Sequence, residues 1–142
     1  MKYIFMDTNV VIDFLADRQP FALDAARLFN LAIDHKATIY ISAVSYNNIY
    51  YILRQSLTNN ATIKLLKELA EMTEITDVTD EIIRQSLKTD FKDYEDAIQY
   101  YCALSRSKVD FIVTRNTKDF KKSILPVLTP AEAVASLNID II

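Results

Sequence analysis

The side chains of this 142-residue chain that could carry chemistry are carboxylates and amides in four groups. Asp7-Thr8-Asn9 follows the apolar run Tyr3 to Met6, and Ser42 to Asn48 follows Thr38-Ile39-Tyr40-Ile41. Asp93, Glu95 and Asp96 open an apolar helical stretch, and Thr114 to Asp119 closes Phe111-Ile112-Val113. Carboxylates that meet in one crevice repel each other unless cations offset their charge, so convergence of these groups predicts a divalent-metal site. Water on such a metal is a better nucleophile near neutral pH, and two ions about 4 Å apart can flank an in-line displacement at phosphorus.

Absent residue types narrow the chemistry further. The chain has no glycine, which excludes the glycine-rich phosphate cradles of dinucleotide-binding and P-loop enzymes. One cysteine, Cys102, forbids an internal disulfide or a thiolate cage, and one histidine, His35, forbids a multi-imidazole zinc site. Sites built from oxygen alone suit hard cations, Mg²⁺ or Mn²⁺ before Zn²⁺. Net charge is −3, unevenly spread: from Glu74 to Asp96 only Arg84, Lys88 and Lys92 oppose eight acids, whereas from Arg106 to Lys122 six basic residues meet only Asp110 and Asp119. The acidic stretch could hold cations and the basic one phosphates; both also read as solvated helix faces.

The elements that must position these groups follow from periodicity. Lys2 to Met6 reads as a buried strand that delivers Asp7 at its carboxyl end, with a short helix from Val10 to about Ala16 behind it. Apolar residues at spacings of three and four predict a helix from Phe21 to Ile33, with Pro20 near its start. A strand Thr38–Ile41 leads into a helix Ala43–Ser56 with Ser42 as N-cap, and Asn59-Asn60 is expected to turn the chain in a left-handed conformation. Further helices are expected through Ile63 to about Met72, from Thr79 through Leu87, and from the Asp93–Asp96 group through Leu104. Strands are expected at Thr73–Thr76, Phe111–Thr114 and Pro126–Leu128, and Thr129-Pro130 opens a last helix to about Leu137. Strands alternating with helices predict an α/β fold with a parallel sheet covered on both faces, as one domain over residues 1–142. In such a sheet three of the four polar groups share one edge, where open α/β sheets bind ligands, and the Asp93–Asp96 group joins them if its helix points N-terminus first toward it.

Blander readings stand beside these. Asp7 could simply cap a helix, Asp96 could be an ordinary first-turn acid, and Asp93 and Glu95 read as a solvated face. Asp13 is expected at the surface, Cys102 buried, His35 exposed in a turn. Of Asn47 and Asn48, at least one is expected to point inward. Arg115, Lys118, Lys121 and Lys122 are candidate phosphate contacts, and Tyr46, Tyr50, Tyr51 and Tyr94 could stack on unpaired bases or belong to core and dimer surface. A receiver- or phosphatase-type protein also uses strand-end aspartates but calls for a lysine after a later strand, where this chain has Arg115 and Asn116. No apolar run reaches the roughly 18 residues needed to span a bilayer, and a soluble cytoplasmic protein is expected.

Together, Asp7-Thr8-Asn9-Val10-Val11-Ile12-Asp13, the Ser42-Ala43-Val44-Ser45 segment running into Tyr50-Tyr51, Glu95-Asp96-Ala97, and Thr114-Arg115-Asn116 with Asp119-Phe120 resemble the PIN-domain family, from Tyr3 to about Ala135. The resemblance implies a five-stranded parallel sheet and a Mg²⁺- or Mn²⁺-dependent ribonuclease, often the VapC-like toxin of a toxin–antitoxin pair. It further implies an RNA substrate, a small antitoxin protein as partner, and a homodimer. By position Asp7 would be the first metal ligand and Asp96 the third acid. Asn116 falls where the family has a fourth acid or an amide, with Asp119 one turn later able to compensate. The departure is Asn48, which aligns with the family's second acid, a glutamate, and brings no charge; this implies weaker metal binding, and a PIN-like RNA- or protein-binding module as the alternative function.

Overall fold

A computed structural model describes the backbone of residues 1–141 and the side chains of residues 1–137. The order is β1 (Lys2–Met6), α1 (Thr8–Leu15), α2 (Ala22–Ile33), β2 (Ala37–Ser42), α3 (Ala43–Leu53), α4 (Asn59–Met72), β3 (Glu74–Thr76), α5 (Asp80–Lys88), α6 (Tyr94–Leu104), β4 (Phe111–Val113), a 3-10 turn (Thr117–Phe120), β5 (Val127–Leu128) and α7 (Pro130–Ile141). All strand pairs are parallel and the sheet runs β3-β2-β1-β4-β5, which is the five-stranded α/β arrangement expected.

Side-chain alternation along the strands sorts the core into two layers. Ile4 and Met6 of β1, Ile39 and Ile41 of β2, and Phe111 and Val113 of β4 join Val11, Phe29, Ile49 and Leu69 on one face. Phe5, Tyr40 and Ile112, the intervening residues, meet Ile82, Ile98, Ala103 and Phe120 on the other. Helices therefore cover both faces, as a sheet of fully apolar parallel strands requires. Cys102 lies in the second layer, fully buried.

Chain reversals mostly follow local chemistry, with one exception. Asn59-Asn60 is not a left-handed turn: the pair begins α4, because the Thr58 hydroxyl accepts from the Ala61 amide and caps the helix ahead of them. Asp17 and the exposed His35 carry the positive φ values instead. Thr129 and Glu132 cap α7 reciprocally, each side chain accepting from the other's backbone amide. Helix α7 continues past Leu137 to Ile141.

The strand order places the site. From β1 the chain moves to β2 on one side, and later returns to β4 on the other, so the order reverses between β1 and β4. The crevice outside the carboxyl ends of those two strands is where such sheets bind ligands. Met6 pairs with Val113 there, and the Asp7 amide donates to the Val113 carbonyl at 2.9 Å.

Candidate active site

Asp7 sits at that switch point, 7% exposed, and both its oxygens are fixed. Oδ1 accepts from the Thr8 amide at 2.9 Å, so Asp7 does cap α1; Oδ2 accepts from the Thr114 hydroxyl at 2.8 Å. The Asn116 backbone N–H in turn donates to the Thr114 hydroxyl oxygen at 3.1 Å. One carboxylate thereby joins the end of β1, the start of α1 and the loop after β4. Burial holds its pKa above the usual range, partly opposed by the Thr114 and Thr8 hydrogen bonds, and the charges of Asp119 and Glu95 push the same way as burial.

Asp96 arrives from the opposite side of the chain order. The Asp93 carboxylate caps α6 by accepting from the Glu95 and Asp96 amides, and the first turn it starts reaches the Asp7 cleft. Asp96 is half-buried in that turn, and its carboxyl is pushed up to about 7, first by desolvation and then by the charges of Asp7, Asp93, Asp119 and Glu95. Mutual repulsion of this kind is the signature of acids gathered into one place. Asp7, Asn48, Asp96 and Gln99 line a single cleft of about 320 Å³. Asn48 is half-buried and Asn47 exposed, so the inward amide is Asn48.

Beneath the cleft lies a neutral polar hub. The Gln99 amide nitrogen donates to the Thr8 hydroxyl at 3.0 Å and to the Ser45 hydroxyl at 2.9 Å; Ser45 also bonds Thr8 at 2.7 Å and Ser42 at 3.0 Å. Ser42 thus stands at the N-cap position of α3 with its hydroxyl turned to Ser45 rather than to the backbone. The hub ties α1, α3 and α6 together under the acids. Gln99 was missed from sequence although it lies three residues after Asp96, on the same helix face.

A second hollow of about 500 Å³ shares Asp96 and is lined by Asp119, Lys92, Lys118, Lys121 and Lys122. Lys122 is paired with Asp90, whose carboxyl that ammonium holds below the usual range. The basic loop and the acids are therefore adjacent. Asn116 and Arg115 are placed otherwise: both line a third hollow with Pro20 and Phe21, and neither is among the residues lining the Asp7–Asp96 cleft.

Arg115 is engaged by Asp13. Asp13, expected at the surface, is 0% exposed. Arg115 Nε approaches Asp13 Oδ2 to 2.7 Å as an ion contact, its N–H not aligned for a hydrogen bond, and Nη2 donates to Oδ1 at 3.3 Å. Arg18 lies 3.8 Å from Oδ1, and the Arg115 guanidinium stacks 4.1 Å above the Phe21 ring. Desolvation raises the Asp13 carboxyl despite both arginines. An aspartate on a helix face reads as solvated until a partner 102 residues away is known.

Residues 3–118 match the PIN domain as a sequence family. The chain belongs to the PIN-domain family. Curated proteins gave no sequence match. Among solved structures the PIN chain resembles VapBC2 from Rickettsia felis bound to a promoter DNA fragment, at 19% identity and TM-score 0.65, covering 89% of this chain and 96% of that one. A toxin–antitoxin complex from Klebsiella pneumoniae gives 24% identity and TM-score 0.65, with 89% and 97% covered. VapC20 of Mycobacterium tuberculosis, described as a sarcin-ricin-loop-cleaving toxin, gives 15% and 0.59, with 77% and 86% covered.

PIN domains generally use divalent metal ions. Among the described residues no three His, Cys, Asp or Glu side chains stand close enough to hold an ion by themselves. The residues nonetheless fit a hard cation. Mg²⁺ is commonly bound through one or two carboxylates while keeping several waters. Here the Asp7, Glu95 and Asp96 carboxylates and the Asn9 and Asn48 amides share a cleft whose wall includes Gln99, 3% exposed, with its Oε1 buried and unpartnered. No helix among the described residues is long and apolar enough to cross a membrane.

Proposed function

We propose that this PIN domain is a Mg²⁺- or Mn²⁺-dependent endoribonuclease and the toxin of a toxin–antitoxin pair, acting as a homodimer with a small antitoxin protein as partner. The observation that carries the reading is the cleft common to Asp7, Asp96 and Asn48. Asp7 and Asp96 would hold the cation, with Asn48 and Gln99 as neutral oxygen donors. The cation supplies Lewis acidity at a phosphoryl oxygen and a more acidic water.

The chain's own residues do the rest. Thr114 and the Thr8 amide hold Asp7 in one orientation, so its oxygens need no reorganisation when a ligand arrives. Burial and the neighbouring acids favour the protonated form of Asp96, so a cation at that carboxylate would compete with a proton. Lys118 and Lys121, beside Asp96 and Asp119, are suited to grip substrate phosphates. Asn116 and Asp119 act on the loop that carries these lysines, Asp119 adding negative charge at Asp96. The test is cleavage of an unstructured RNA with Mn²⁺, with EDTA, and with Asp7→Asn. Activity that survives both chelation and the substitution refutes the mechanism.

A second reading rests on Asn48. A neutral amide where the PIN family carries a glutamate suits a binding module that has lost hydrolysis. Asn48→Glu adds one charge to the cleft, and cleavage and Mn²⁺ affinity should rise about tenfold or more if the site is a weakened enzyme, since a close charge pair near a surface exceeds the ~1.4 kcal/mol this requires. No gain favours the binding module.

A further inference from the structure

The fold separates the candidate tyrosines by what each already touches; Tyr94 is exposed and lines neither the Asp7–Asp96 cleft nor the lysine hollow. Tyr46 is half-buried against the apolar core. Tyr50 donates its hydroxyl to Asn59 Oδ1 at 2.6 Å and is thereby tied between α3 and α4. Tyr51 is 70% exposed and lines the same cleft as Asp7, Asn48 and Asp96. Its ring stands edge-on to that of Tyr50, centroids 5.4 Å apart at 81°. An anchored neighbour thus braces a solvent-facing aromatic ring on the wall of the acidic cleft.

We propose that Tyr51 is the stacking platform for one unpaired base of a single-stranded RNA, next to the phosphate in the Asp7–Asp96 cleft; this rests on the nuclease reading above. The charges decide where attraction can come from. On the Tyr51 side the cleft offers Asp7, Glu95, Asp96 and Asn48 and, among the described residues, no cationic side chain, so beyond what a cation bound by Asp7 and Asp96 supplies, a nucleotide gains nothing there through its phosphate. The lysines line the other hollow, across Asp96. A neutral π-face attracts a base whatever its identity and needs no cationic side chain to do so. The same polar walls suit an apolar protein segment poorly. Stacking also requires a base already released from pairing, because a paired base keeps both faces within its own helix. An unpaired strand would thus be held by its phosphates on the lysine side and by one base on the Tyr51 side.

The test uses the full chain. In Mn²⁺, Tyr51→Ala should raise KM for an unstructured oligoribonucleotide about 5- to 100-fold, the range of one lost base stack, with the loss falling in KM rather than kcat and Tyr51→Phe restoring it. The chain contains no tryptophan, so Tyr51→Trp in an Asp7→Asn background carries the only indole. Its emission should fall on adding the single strand and stay unchanged on adding the same strand annealed to its complement. An active protein whose KM is indifferent to Tyr51→Ala overturns the inference and leaves the nuclease reading standing. So does an oligonucleotide that binds by anisotropy without quenching the indole. A sedimentation mass that drops with Tyr51→Ala assigns the ring to a protein contact and also overturns it. A wild-type protein that neither cuts nor binds RNA removes the nuclease reading itself.

Discussion

Replacing Asp96 by asparagine should stabilise the metal-free protein. The carboxyl stands at about 7 in the fold against 3.8 as reference, because burial and the charges of Asp7, Asp93, Asp119 and Glu95 oppose its ionisation. A rise of that size corresponds to ~4 kcal/mol of preference for the protonated form. Asp96 borders two open hollows, and solvent screening there reduces the expected gain to about 1–2 kcal/mol. The sign follows from the raised folded-state pKa: wild type keeps this stability below pH 3.8 and loses it as pH rises to about 7, whereas the amide of the Asp96→Asn variant cannot titrate. In EDTA the Asp96→Asn variant should therefore unfold a few degrees above wild type at pH 8, about 2–8 °C for a chain of this size. The gap should narrow through pH 5.5 and close near pH 4. With Mn²⁺ at pH 8 the order should reverse, since only wild type gains stability from the ion. A variant no more stable than wild type at pH 8, or a gap that widens on acidification, refutes the gathering of these acids.

Three further outcomes follow from the geometry. Thr114→Val leaves Asp7 Oδ2 buried without its donor and should cost about 1–3 kcal/mol in urea unfolding; an effect below ~0.5 kcal/mol contradicts that role. Asp13→Ala strands the half-buried Arg115 guanidinium and should destabilise by about 3 kcal/mol, the low end for a broken buried pair because Arg115 is 27% exposed; Tm by calorimetry checks it. Lys121→Ala should reduce the slope of log affinity against log salt for RNA by about one and weaken binding of all sequences alike; a sequence-selective loss would argue against a phosphate contact.

Much of this molecule was legible along the chain. Strand and helix periods, the Thr-Pro opening of α7 and the acid-led start of α6 are local properties, settled within a turn or a few strand residues. The strand-end position of Asp7 came from the same signal. The Asn59-Asn60 reversal was misread because two local signals competed, and the Thr58 cap won. The site residues divided by charge and distance: Asp7, Asp96 and Asn48 were expected together and line one cleft, while Gln99, neutral and 54 residues from its partner Ser45, carries no signal of its own until α3 and α6 meet at the sheet edge. The burial of Asp13 against Arg115 escaped the sequence for the same reason, since ion pairing depends on which surfaces meet.

Composition alone limits the chemistry to oxygen ligands: without glycine, and with one cysteine and one histidine, neither phosphate loops nor thiolate or imidazole cages can be built. The order of residues, apolar to Met6 and polar from Asp7, sets Asp7 at the carboxyl end of an apolar strand. Tertiary structure decided which acids share a hollow and which cations stay unspent beside them. The sheet's reversal of strand order between β1 and β4 brings residues about a hundred positions apart to one edge, and only there do burial and repulsion act on Asp7 and Asp96 together.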